Sequence, residues 1–208
     1  MGKKLKKIIK KMNLYRKKIC VISSSRAEYG LLKNLLCQIK KSKKLKLQLI
    51  VTGTHLSAKH GLTYQEIISD NLKIDKKIKI LKNSDTSLAI SNYLSDGIKK
   101  FSKTYFKIKP DLIFILGDKF EIFSAAIAAM LMRIPIGHAH GGETTEGAID
   151  ETIRHSITKM SHIHFVAAKN QFFSCKNLLL STKIHLSVIL TTFPFTILFC
   201  FISTISLS

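Results

Sequence analysis

The densest run of reactive side chains is His138-Ala139-His140-Gly141-Gly142-Glu143-Thr144-Thr145-Glu146-Gly147, followed at once by Ala148-Ile149-Asp150-Glu151-Thr152-Ile153-Arg154-His155. Imidazoles and carboxylates so close together can take and return protons near neutral pH. His138 and His140 stand two apart on a strand-like segment, which predicts that both rings share one face. Asp150 and Arg154, like Glu151 and His155, are four apart and become neighbours on a helix. The plain reading is a glycine turn with surface ion pairs worth about 0.3–0.5 kcal/mol each; the functional reading is an acid–base cluster. A metal site built from His138, His140 and Glu143 has weak support, because two strand histidines and one loop acid do not make a ligand motif, and no metal is expected. Asp118, in Gly117-Asp118 after an apolar run, is either a helix N-cap or a base whose pKa burial could raise. The stretch Ser23-Ser24-Ser25-Arg26-Ala27-Glu28-Tyr29-Gly30 offers hydroxyls, backbone N–H groups and one arginine, enough for a phosphate-sized anion, unless the serines only cap a helix. It lacks the GxGxxG spacing of a dinucleotide turn.

The elements that must carry these residues alternate short apolar runs with amphipathic stretches. Strands are predicted at Ile19–Ser23, Leu45–Thr52, Asp111–Leu116, Ile134–Ala139 and Ile163–Ala167. Helices are predicted at Leu31–Lys40, Gly61–Asp70, Ser87–Ile108 (divided near Gly97), Phe120–Met132 and Asp150–Met160. The run DLIFIL is apolar throughout, as in a strand buried on both faces. Strands separated by helices of this length give βαβ units and a parallel, Rossmann-like α/β sheet. Such sheets bind ligands outside the carboxyl ends of their strands. The polar segments Ser23–Gly30, Gly53–His55, Gly117–Glu121 and His138–Glu146 all fall there.

Composition narrows the partners. Lys and Arg number 34 against 13 Asp and Glu, a formal charge of +21. Only Arg16, Arg26, Arg133 and Arg154 are arginine, and no RNP motif, zinc finger or zipper is present, so a nucleic-acid reader is not expected. Cys20, Cys37, Cys175 and Cys200 form no CxxC pair, which removes zinc and disulfide frameworks and suits a reducing cytoplasm. Residues 1–18 form a basic leader, and the apolar run Ile19–Ile22 behind it is too short for a signal peptide. Leu5, Ile8, Ile9 and Met12 fall at helical spacing among its lysines, which fits a membrane-surface helix or a solvated leader.

Residues 19–168 read as the folded domain and residues 169–208 as a divergent apolar tail. The βα rhythm stops at Asn170, no acid follows Glu151, and Leu186–Ser208 carries no charge. That stretch is long enough to cross a bilayer, yet Pro194 interrupts it. A tail anchor, a buried segment and out-of-frame translation compete, and the loss of acids and periodicity favours the last.

The stretches SSSRAEYGLLK, VTGTHLSAKHGLTYQEI, KPDLIFILGDKFE and IPIGHAHGGETTEGAIDETIRHSITKMSHIHFV together resemble the hydrolysing UDP-N-acetylglucosamine 2-epimerases of bacterial sialic and related nonulosonic acid pathways. The likeness covers about Lys18 to Ala168. It implies the N-terminal domain of a two-domain, glycosyltransferase-B-like fold, and a reaction without nicotinamide or required metal. UDP is eliminated across C1–C2 of UDP-N-acetylglucosamine, and water then adds to a 2-acetamidoglucal to give N-acetylmannosamine. Removing the C2 proton needs a carboxylate or imidazole, and the departing diphosphate needs cationic or N–H partners.

By resemblance, Asp118 and Asp150 are the acid–base carriers, Glu143 and His140 assist them, and Arg154 holds the acids or neutralises charge. Arg26 is matched to the diphosphate, and Ser25, Glu28, His55, Glu121 and Thr145 complete the expected substrate contacts. The resemblance also implies homo-oligomers for full-length members and a second domain supplying most of the uridine-diphosphate site. None of that domain is recognisable in residues 169–208, so a truncated and impaired chain is expected. UDP-N,N'-diacetylbacillosamine, the precursor type used for legionaminic acid, is the alternative substrate. A membrane-attached sugar-nucleotide-binding protein, held by leader and tail, is the alternative of another class.

Overall fold

The computed structural model describes residues 16–80, 86–143 and 149–166, together with the backbone of Leu186–Ile189. Its strands are β1 (Lys17–Ser23), β2 (Leu45–Val51), β3 (Lys76–Lys77), β4 (Leu112–Leu116), β5 (Ile136–Ala139), β6 (Ile163–Val166) and β7 (Leu186–Ile189). Its helices are α1 (Arg26–Lys41), α2 (Tyr64–Ser69), α3 (Ser87–Ile108), α4 (Phe120–Leu131) and α5 (Ile149–Met160), with short 3-10 turns at Gly53–Leu56 and Ala58–His60. All the strands are parallel, in the order β3-β2-β1-β4-β5-β6-β7. The Rossmann-like α/β expectation therefore holds. β7 follows the point where the βα rhythm was expected to end and continues the sheet beside β6.

Alternation along the strands fills two cores. Ile19, Val21, Leu49, Val51, Leu112, Phe114 and Phe165 face α1 and α2. Cys20, Ile22, Ile50, Ile113, Ile115 and Ile136 face α3, α4 and α5. Both faces of the central strands are covered, which is why β4 reads as LIFIL without a polar break. On α1, Leu32, Leu35, Leu36 and Ile39 recur at helical spacing and are fully buried, each worth roughly 1.5–3 kcal/mol of transfer free energy.

Two expectations about the helices need correction. α1 begins at Arg26, five residues earlier than Leu31, because Ser25 takes an extended backbone and its side chain accepts the Glu28 N–H. The loop SSSRAEYG is thus mostly the first turn of a helix. α3 is not divided at Gly97; it runs unbroken from Ser87 to Ile108. Gly97 lies where α3 crosses α4, and a Cβ there would meet Ser124 Oγ at 2.5 Å and Ser124 Cβ at 2.9 Å. The glycine permits close helix contact rather than a break.

Gly97→Ala is therefore expected to destabilise the chain by about 1–3 kcal/mol in urea unfolding. Adding Ser124→Ala, which removes the nearer atom, recovers part of that loss. Additive single-mutant effects would mean that the two helices do not meet at this pair.

Candidate active site

Strands β1, β2 and β3 run outward one way and β4 onward the other, so the order reverses between β1 and β4. Ligands of open α/β sheets bind in the crevice at that switch point. The turns leaving β1 and β4 carry Ser23–Ser25 and Gly117–Asp118.

On the β4–β5 side, Arg154 of α5 gathers the cluster. Its Nε donates to Asp118 Oδ2 at 2.7 Å, its Nη2 donates to the same oxygen, and its Nη1 donates to the Glu143 carbonyl at 2.8 Å. One guanidinium thus joins the Gly-Asp turn, the Gly-Gly-Glu turn and the helix of the Asp-x-x-x-Arg pattern. The Arg154 side chain is 9 % exposed and that of Asp118 20 %, a setting in which a charge needs its partner. Asp118 does not cap α4; the N-cap is Lys119, without a side-chain cap bond. Asp150 lies exposed in the first turn of α5, and Glu151 pairs with His155 at 3.3 Å.

The two strand histidines do not share a face. β5 ends at Ala139, and His140 has φ +63°, a left-handed backbone that turns it out of the strand. His140 Nδ1 meets Glu143 Oε1 at 2.7 Å, with both side chains about one-third exposed. This dyad, an imidazole oriented by a carboxylate, can move a proton at the rim. His138 is fully buried, its Nε2 2.9 Å from the Gly117 carbonyl and its Nδ1 3.4 Å from Thr158 Oγ1. Burial pushes its pKa down to about 4, so the ring is neutral and donates from Nε2 to Gly117, steadying the turn that presents Asp118. Among the described residues, no group of three His, Cys, Asp or Glu is arranged to hold a metal ion.

On the β1–β2 side, several expected substrate contacts lie inside the fold. Glu28 is buried and accepts from the Ser24 N–H and hydroxyl at 2.8 Å each. Lys119 Nζ lies 3.1 Å from Glu28 Oε1, which ties the β1–α1 turn to the β4–α4 turn across the crevice. Glu121 is 4 % exposed, and burial, then the neighbouring Glu28 charge, raises its pKa. Its carboxylate lies against Gly53, whose φ of +58° and missing Cβ leave the room. His55 is buried between Ser23 Oγ at 2.9 Å and Thr63 Oγ1 at 2.7 Å, and burial, then Lys119, lowers its pKa to about 4.

Ser25 caps α1, and Arg26, largely exposed, pairs with Glu66 at 3.0 Å. Thr145 lies outside the described residues. Lys119 was missing from the expected site, and His138 was weighed in it only as one of the clustered imidazoles and a candidate metal ligand. Lys119 stands beside Asp118 in the quoted KPDLIFILGDKFE stretch, but nothing in the sequence shows that it reaches Glu28.

A parallel Rossmann-like sheet with helices on both faces and acid–base groups gathered at its carboxyl rim defines an open α/β domain. The family model for UDP-N-acetylglucosamine 2-epimerase matches residues 37–192, and the chain belongs to this family. It is 49 % identical over 152 residues to a GDP/UDP-N,N'-diacetylbacillosamine 2-epimerase (hydrolyzing) of Campylobacter jejuni, covering 73 % of this chain and 39 % of the relative. It is 38 % identical over 154 residues to the UDP-N,N'-diacetylbacillosamine 2-epimerase of Legionella pneumophila, and 36 % identical over 151 to a UDP-N-acetylglucosamine 2-epimerase of Neisseria meningitidis serogroup B. These cover 74 % and 73 % of this chain and 40 % and 39 % of the relatives. The chain thus spans about two-fifths of the length of the relatives it matches.

Among solved structures, a UDP-N-acetylglucosamine 2-epimerase superposes with a TM-score of 0.73 at 20 % identity, over 84 % of this chain and 48 % of the other. The Neisseria meningitidis UDP-GlcNAc 2-epimerase bound to UDP-GlcNAc superposes with a TM-score of 0.72 at 19 % identity, over 83 % and 45 %. These neighbours place the domain in the glycosyltransferase-B-like fold.

His55 and His138 make stability depend on pH. Their folded values near 4 lie below the ordinary 6.5, so between those limits the unfolded chain binds protons that the fold refuses. Their contribution is complete above about pH 6.5 and is lost as pH falls toward 4, roughly 3 kcal/mol per histidine when fully titrated. Urea unfolding at stepped pH is expected to show this decline, and His138→Gln to make it shallower. An unchanged slope in that variant would mean the ring is charged in the fold.

Proposed function

We propose that this chain is the N-terminal domain of a hydrolysing UDP-sugar 2-epimerase, acting on UDP-N-acetylglucosamine to give N-acetylmannosamine and UDP. The observation that carries the reading is the Arg154 hub, which brings Asp118, the Gly-Gly-Glu turn and the α5 helix together at one rim. In the proposed reaction a rim base removes the C2 proton, the C1–O bond breaks to release UDP, and water adds to the resulting double bond. Asp118, held by Arg154, Asp150 on the exposed first turn of α5, and the His140–Glu143 dyad are the acid–base groups in reach of such a substrate. Ser25 N–H at the head of α1, Arg26 and Lys119 are the groups suited to the diphosphate. Thr145 is proposed as a further contact. Glu28, His55 and Glu121 act as the framework beneath these contacts, since their polar atoms are engaged inside the fold.

Residues 19–168 are proposed as one side of a two-domain cleft. The second side, which supplies the uridine pocket, corresponds to the part of the relatives that this chain does not cover. The proposed reaction needs both sides, because half a cleft by itself neither excludes water nor encloses the nucleotide. The proposed setting is nonulosonic acid biosynthesis in the cytoplasm, in a homo-oligomer when whole. A second reading of the substrate, UDP-N,N'-diacetylbacillosamine on the way to legionaminic acid, is favoured by the 49 % identity to the Campylobacter enzyme against 36 % to the Neisseria one.

The test is UDP release from both sugars, followed by NMR, with the chain supplied with the second domain of the Campylobacter relative. One sugar is expected to be turned over, and Asp118→Asn to lower kcat at least 100-fold. Arg154→Lys, which loses the fork on Asp118 Oδ2, is expected to cost about 10- to 100-fold. Release unaffected by Asp118→Asn would remove Asp118 from the chemistry. No release from either sugar in a complex that binds UDP would overturn the reading.

A further inference from the structure

An all-parallel sheet has two unlike poles, and the pole opposite the site is strongly cationic. There the turn from α1 to β2, the start of β1 and the turn from α3 to β4 meet. Lys17 N donates to the Lys44 carbonyl at 3.0 Å, and Lys18 Nζ donates to the Lys109 carbonyl at 3.2 Å. Lys43, Lys44 and Lys109 on these turns, and Lys41, Lys46 and Lys107 on the element ends beside them, are all exposed. Asp111, the acid of the α3–β4 turn, accepts the Lys18 N–H at 2.7 Å. Arg16 donates to the Leu45 and Ser42 carbonyls, so Arg16, Lys17 and Lys18 all stand at this same pole.

A second feature accompanies the charge. Phe106, in the last turn of α3, and Leu131, the last residue of α4, are 70 % and 65 % exposed, and Met130 beside it 43 %. α3 and α4 each lead into the amino end of the next strand, so these apolar tips lie at the cationic pole.

We infer that this pole docks on an anionic lipid surface, with lysines at the headgroups and the Phe106, Met130 and Leu131 tips at the acyl boundary. Lysine-rich charge beside exposed apolar side chains is the pattern of interfacial attachment. A second copy presenting the same pole would be repelled by like charge. A sequence-reading nucleic-acid surface would favour arginine, and Arg16 here is engaged on backbone carbonyls. Docked in this way, the chain holds the candidate site on the side facing away from the bilayer, open to a soluble substrate.

The experiment is co-sedimentation of the whole chain with phosphatidylcholine vesicles, with and without about one-third phosphatidylglycerol. Binding is expected only with the anionic lipid and is expected to weaken at least tenfold from about 0.1 to 0.5 M salt. The variant Lys43→Glu/Lys44→Glu/Lys46→Glu is expected to lose at least tenfold in partition, and Phe106→Ser/Leu131→Ser about threefold. Both should keep the parent's circular dichroism melt, since the changed side chains are exposed. Equal binding to neutral vesicles, or a triple variant that partitions like the parent with its leader and tail intact, would overturn the inference. So would binding of an RNA oligonucleotide with no binding to anionic vesicles.

Discussion

Arg154 is the interaction on which the rim depends. Its guanidinium is mostly buried and faces Asp118 and the Glu143 carbonyl. A buried arginine stripped of its carboxylate leaves a charge with no water to solvate it, at a cost on the order of 3 kcal/mol. Asp118, for its part, lies two residues beyond a strand buried on both faces. The two groups hold each other: α5 is pinned to the β4 turn, and the same guanidinium ties α5 to the Gly-Gly-Glu turn through the Glu143 carbonyl. Neutral His138 secures the β4 turn from below through the Gly117 carbonyl.

A comparable structure lies across the crevice. Glu28 binds the Ser24 backbone and hydroxyl and pairs with Lys119, so the turns after β1 and β4 are joined by one buried carboxylate. Glu121 and His55 fill the space beneath, with Gly53 giving way to the Glu121 carboxylate. Groups that look reactive in the sequence are here spent on fixing loops. The rim remains accessible at Asp150, Arg26 and the His140–Glu143 dyad. This division follows from burial: a polar side chain within the fold must be matched by the fold or by ordered water, while one at the edge keeps access to solvent.

Family membership and architecture agree without depending on each other. The relatives share sequence over about three-quarters of this chain, while the solved structures share its fold at about one-fifth identity. The family match runs to residue 192, and β7 continues the parallel sheet within it. Among the described residues no helix is long and apolar enough to cross a membrane.

Much of the fold was legible in the order of residues. Apolar runs such as LIFIL, spaced by amphipathic stretches, require parallel strands with helices on both faces, and that requirement places every polar turn at one rim. Helical spacing paired Asp150 with Arg154, and the family resemblance carried Asp118 and Glu143 into the expected site. Partner choice was decided elsewhere. Arg154 reaches across the sheet to Asp118, thirty-six positions away, where helical spacing pointed to Asp150. His140 leaves the strand through a left-handed backbone, while His138 stays buried in it. Gly97 looks like a break until α4 is laid against it. Local periodicity fixes which residues can share a face; which of them touch, and which lose their water, depends on elements distant in the chain, and only their packing determines that.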